Sequence, residues 1–191
     1  VNNDSGDITR ILLSAFDHLL PEVRREANKG AAAFIPAHLE SEIEELNSWV
    51  FRTVNNGVYK VGFATNQVTY NEHITELFQS LDRLETHLAQ PGHQPYLFGD
   101  HITEADIRLY TTIVRFDVAY YPIFQCNLKM IRTGYPLLHS WLRRLYWDES
   151  PETAGGAFKD TTHFDVVGIQ TTRWLEHFAD MSRSKKDMRL Q

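Results

Sequence analysis

The chain has 191 residues, enough for one domain with a sizeable core at 42% hydrophobic content. Its formal net charge of −6 gives no general attraction to nucleic acid or to an anionic membrane surface. One cysteine, Cys126, excludes an internal disulfide framework, and no apolar run approaches the length needed to span a bilayer.

In chain order, Asp4 or Ser5 caps a first helix whose apolar face runs Ile8, Ile11, Leu12, Ala15, Phe16, Leu19. Pro21 ends it, and Glu22 to Pro36 reads as a loop or frayed turn. A second helix places Leu39, Ile43, Leu46, Val50 and Thr53 on one face. Asn55-Asn-Gly57 is expected to stop it, with Gly57 as a left-handed cap. A third helix spans about Gln67 to Ala89, with Tyr70, Ile74, Leu77, Leu81, Leu84 and Leu88 inward, and Pro91 to Pro95 breaks it. The next helix is the centre of the fold. Thr103 is its N-cap, Asp106 can return a bond to the cap's own N–H, and apolar residues nearly surround it from Ala105 to Val118. Tyr135-Pro136 opens a further helix carrying Leu138, Trp141, Leu142 and Leu145, and Ser150 to Gly156 is a linker. No consecutive segments alternate with period two. The fold class is therefore all-α, a bundle of five to seven helices.

The chemistry-bearing residues are few. An acidic side chain and a hydroxyl at a helix N-terminus, as in Asp4-Ser5, can hold an amine and a carboxylate together, though a plain cap explains them as well. The aromatic residues Phe51, Tyr59, Tyr110, Tyr120, Tyr121 and Tyr146 are candidates for a pocket wall or for core. Cys126 lacks a Cys-Pro or Cys-x-x-Cys setting and reads as a small buried hydrophobe. Nine scattered histidines show no metal-ligand spacing, and no nucleophile elbow or phosphate-binding glycine loop occurs.

Two stretches carry a resemblance: Asn55-Asn-Gly-Val-Tyr-Lys-Val-Gly-Phe-Ala-Thr65, and Thr103-Glu-Ala-Asp-Ile-Arg-Leu109 with Val114-Arg-Phe-Asp117. Gly99-Asp-x-x-Thr-x-Ala-Asp106 looks like the capped core helix of the glutathione transferase C-terminal domain. The longer stretches resemble the glutathionyl-hydroquinone reductases, or Xi-class transferases. The resemblance covers residues 1–165 and implies one helical transferase domain there. Residues 166–191 depart from it and form a divergent basic tail with Arg183, Lys185, Lys186 and Arg189, onto which no family residue is carried.

The resemblance implies glutathione as co-substrate, gripped by Asp4 and Ser5, with Asp standing where the family has Glu. It implies an aromatic, hydroquinone-type acceptor in a pocket near Phe51, Tyr59 and Tyr146. Phe51 occupies the place of a family tyrosine whose hydroxyl helps hold that acceptor. It also implies a homodimer. The family's nucleophile is a Cys-Pro cysteine in an N-terminal thioredoxin-like domain, which is absent from this chain, so the chain alone is expected to be inactive. The start at Val1, without Met, reads as that of a fragment or processed piece. The lack of a visible signal peptide and the lone cysteine point to the cytoplasm. The alternative is a stand-alone helical module that docks another protein without catalysis.

Overall fold

The computed structural model describes residues 3–164, and all their regular structure is helical. The principal elements are α1 (Ser5–Ala15), α2 (Glu40–Val50), α3 (Gly57–Gly62), α4 (Gln67–Leu88), α5 (Glu104–Arg115) and α8 (Pro136–Trp147). Three short turns of helix join them: α6 (Tyr121–Ile123), α7 (Ile131–Gly134) and α9 (Ala157–Asp160). The basic tail lies outside the described residues.

The core sits between α2, α4, α5 and α8. Ile43, Leu46 and Val50 of α2 share one buried cluster with Leu77, Leu81 and Leu84 of α4, Leu109 and Ile113 of α5, and Leu138 and Leu145 of α8. Helix α5 is central because Thr103 and Asp106 form a capping box at its start and two thirds of its residues are buried. The Asp106 carboxylate has no exposure, yet accepts from Leu97 N–H, Thr103 N–H, the Thr103 hydroxyl and Trp141 Nε1–H at 2.8–2.9 Å. Burial pushes its pKa up while these donors pull it down. One side chain thus fixes the loop before α5, the start of α5, and α8.

Three details differ from the pattern read in the sequence. Helix α1 stops at Ala15, and Asp17 turns back to accept the N–H groups of Glu26 and Ala27, organising residues 17–32 into short 3₁₀ turns. Asn55-Asn-Gly57 does not stop the second helix. The chain opens into a π-helical turn over Phe51–Asn55 and resumes as α3. The Thr53 hydroxyl donates to the Trp49 carbonyl at 2.7 Å, competing for the acceptor a regular turn would use. Gly57 is not a left-handed cap: it is the first residue of α3, has no positive φ, and lies against Leu77.

The third difference is α1 itself. Its face of Ile8, Ile11, Leu12, Phe16 and Leu19 is exposed, with Leu12 54% accessible. An amphipathic helix normally buries such a stripe. Here the helix is held by charge: Arg10 donates to both oxygens of Glu104 on α5, at 3.0 and 2.7 Å, and to Glu44 on α2 at 2.8 Å.

Beside the loop before α5, His87 Nε2 and His93 Nδ1 both lie within hydrogen-bonding distance of the Leu97 carbonyl, at 2.8 and 2.6 Å, with ring centroids 4.0 Å apart. Burial pushes the His87 pKa below its ordinary 6.5, with the Leu97 carbonyl opposing and His93 and Arg83 reinforcing the shift. The unfolded chain therefore binds more protons below that value, and stability falls as the pH drops towards the folded-state pKa. In His87→Gln, thermal unfolding followed by circular dichroism should lose less stability than wild type between about pH 7 and pH 5.

Candidate functional site

Helix α5 buries one face in the core and turns another to two adjoining cavities. Glu104, Ile107, Arg108 and Thr111 follow helical spacing and line the first, of about 270 Å³. Gly6, Thr9 and Leu13 of α1, Phe34, Phe51 and Asn55 complete its wall. The second, of about 290 Å³, lies between Tyr110, Val114 and Arg115 of α5 and Phe158, Thr161 and Thr162 around α9. Ile107 and Thr111 belong to both walls, so the two form one interrupted cleft along α5.

The π-helical turn sets Phe51 and Asn55 in that wall. Asn55 Nδ2–H donates to the Arg108 carbonyl at 3.0 Å, tying the turn to α5. Asn55 Oδ1 is buried without a hydrogen-bond partner among the described residues. At the other rim, Asp4 caps α1, accepting from Gly6 N–H at 2.8 Å and Asp7 N–H at 3.0 Å. The bonds from Asp7 and Gly6 hold the Asp4 carboxyl below its usual range, and the Arg108 charge adds to them. Ser5 opens α1, but its side chain lies outside the described residues.

The aromatic residues singled out in the sequence are not gathered in one cavity. Phe51, 48% exposed, lines the first. Tyr59 and Tyr146 line neither. Tyr59 stacks on Phe63, meets Tyr120 and Phe124 edge-on, and has its hydroxyl 3.4 Å from that of Tyr120. Tyr146 packs against Trp147 and Phe164. The phenol on the cleft is Tyr110, whose hydroxyl donates to the Phe158 carbonyl or pairs with the Thr162 hydroxyl at 3.0 Å. Burial pushes its pKa up, which keeps it a neutral phenol. Arg108, Asn55 and Thr111 are not among the site residues expected from the sequence. Glu104, Arg108 and Thr111 recur at spacings of four and three among apolar residues of α5, which is a visible signal of a second, polar face.

Cys126 is fully buried, with Sγ 3.9 Å from the Val58 and Phe124 carbonyls, and burial pushes its thiol up to about 12. A thiol so placed is protonated near neutrality and out of reach of a ligand. Among the described residues no group of three or more His, Cys, Asp or Glu is arranged to hold a metal ion. No described helix is long and apolar enough to cross a membrane.

These features define a helical domain with an aromatic-lined cleft running to a carboxylate-capped helix N-terminus. The chain is similar to glutathione transferases over their C-terminal, helical domain. Residues 67–144 match the family described as glutathione S-transferase, C-terminal domain.

Similar proteins extend further along the chain. The glutathione S-transferase omega-like 2 of Schizosaccharomyces pombe is 46% identical over 173 residues, covering 91% of this chain and 52% of that protein. The crystal structure of the glutathione S-transferase Xi from Phanerochaete chrysosporium superimposes with a TM-score of 0.76 at 50% identity, covering 87% of this chain and 51% of that one. The glutathionyl-hydroquinone reductase YqjG of Escherichia coli is 44% identical over 167 residues, covering 87% of this chain and 45% of that protein. Its glutathione-bound structure gives a TM-score of 0.72. The chain spans about half the length of the curated relatives it matches.

Proposed function

We propose that this chain is the acceptor-site half of a glutathione transferase that removes glutathione from glutathionyl-hydroquinones. The observation that carries the reading is the meeting of the aromatic cleft and the capped start of α1 at one cavity, where Gly6, Phe51 and Arg108 share a wall. One ligand with a peptide-like anionic end and an aromatic end fits such a place. The glutathione-bound structure of YqjG and the reductase names of its relatives support the same chemistry.

In this reading Asp4 and Ser5 take the γ-glutamyl end of glutathione, and Phe51 and Thr111 bracket the hydroquinone ring. A thiolate outside residues 1–191 attacks the glutathionyl sulfur. The carbon–sulfur bond breaks, the ring carbon takes a proton, and a second glutathione releases the mixed disulfide as glutathione disulfide. The exposed apolar stripe of α1 supports a further folded unit covering that helix, one that would bring the thiol to the cleft. The same stripe is what favours the docking-module alternative, in which the partner is a separate protein. A cytoplasmic homodimer completes the reading.

Its test is equilibrium binding of 2-methyl-1,4-naphthohydroquinone to the chain under anaerobic conditions. Phe51→Ala should weaken binding by about tenfold, the loss of one aromatic contact with the ring. Tyr59→Phe and Tyr146→Phe should leave it unchanged, because neither ring lines the cleft. Undiminished binding by Phe51→Ala would overturn the assignment of the cavity.

A further inference from the structure

We infer that Arg108 makes the cavity selective for aromatic ligands bearing an anionic substituent, a carboxylate or sulfonate on the ring. This rests on the acceptor-cavity reading above and narrows its substrate class. The wall is largely apolar, with Phe34, Phe51 and Ile107 forming much of it, and two charged side chains of α5 interrupt it: Glu104 and Arg108. They are not equivalent.

Glu104 is answered from within the fold. Its Oε1 accepts from Arg10 Nε at 3.0 Å, and its Oε2 accepts from Arg10 Nη2 at 2.7 Å and Asn47 Nδ2 at 3.0 Å. It is also almost fully buried. Arg108 Nη1 reaches the same carboxylate only at 3.8 Å, an ion-pair distance beyond hydrogen-bond length. The charge of Glu104 is therefore committed to Arg10.

The Arg108 guanidinium lies instead over the first turn of α1. A Cβ built on Gly6 would stand 3.1 Å from Nη1 and 3.2 Å from Nη2, so the planar fork covers that glycine. The N-terminal end of α1 carries the positive end of its backbone dipole. Two positive sources thus converge on one wall of an apolar cavity. Asp4, which the Arg108 charge already favours in its ionised form, offsets them at the rim. Asp7 and Glu44 are exposed, and Glu44 is bonded to Arg10.

An arginine fork binds planar oxyanions bidentately and offers little to a neutral ring, and a low-dielectric wall strengthens the discrimination. A ring resting on Phe51 with its anionic group turned to Arg108 satisfies both halves of the cavity.

The test uses an isosteric pair, 2-naphthoate and 2-naphthamide, titrated calorimetrically against the chain at low salt. Naphthoate should bind about tenfold tighter, and the difference should shrink as salt is raised. Arg108→Met should bring the two within about twofold, and Arg108→Lys should keep part of the preference. Because Arg108→Met could fold poorly, the Arg108 Nε–H NMR signal of the wild type supplies a second reading, and it should shift with naphthoate and not with naphthamide. Equal binding of the pair by wild type, or a preference that survives in folded Arg108→Met, overturns the role of Arg108 and leaves the acceptor cavity standing. Binding of neither compound overturns both.

Discussion

Replacing Asp106 with Ala is expected to remove a large share of the stability of the domain. The carboxylate answers four donors in a region closed to water: Leu97 N–H, Thr103 N–H, the Thr103 hydroxyl and Trp141 Nε1–H. The hydroxyl can rotate to another acceptor, but the two backbone groups and the indole cannot. Each stranded donor costs about 1–3 kcal/mol, so the loss should reach about 4 kcal/mol or more. That is a large share of the roughly 5–15 kcal/mol that holds a typical domain folded. Asp106→Asn keeps the shape and one acceptor and should lose less. Urea unfolding followed by circular dichroism measures both variants, and an Ala variant within about 1 kcal/mol of wild type would contradict this account of α5.

Glu104→Ala should have the second-largest effect, and a more local one. The glutamate is 2% exposed and holds Arg10 by two bonds and Asn47 by one. Removing one partner of a buried pair costs about 3–5 kcal/mol. Arg10 keeps about a third of its side-chain exposure, which lowers the expected loss to about 2–3 kcal/mol. The apolar stripe of α1 faces outward, so this ion pair is the main tie between α1 and the bundle. Hydrogen exchange should show protection lost across residues 5–15 while α4 and α8 keep theirs. A double-mutant cycle with Arg10→Met isolates the pair, and additive losses would contradict its role as the tie.

Much of the fold can be read from local pattern. The cap at Thr103 and Asp106 is such a case, because its partners lie three residues apart and the spacing carries the geometry. The length of α4 is another, since apolar residues recur at helical spacing from Tyr70 to Leu88 without a breaker. Asn55-Asn-Gly57 shows where this reasoning ends. A glycine that takes a left-handed turn and one that continues a helix against Leu77 look alike until the partner, 20 residues away, is placed.

The site was less legible for the same reason. Each residue in an α-helix turns the chain by about 100°, so the π-helical turn at Phe51–Asn55 re-aims every side chain after it. Phe51 reaches the cavity, whereas Tyr59, eight residues on, faces Phe63, Tyr120 and Phe124. Helix α1 teaches the converse lesson. Its periodicity correctly announces an apolar face, but amphipathicity does not say what covers it, and within residues 3–164 the face is exposed.

The measurement that bears most directly on the central proposal is turnover of a glutathionyl-hydroquinone by the purified 191-residue chain with glutathione, for wild type and Cys126→Ser. The acceptor half without an accessible thiol predicts a rate indistinguishable from the uncatalysed reaction in both proteins. Glutathione-dependent turnover by the wild type would contradict the account. Its loss in Cys126→Ser would make the buried thiol the nucleophile, and its survival would mean that the chain catalyses without one.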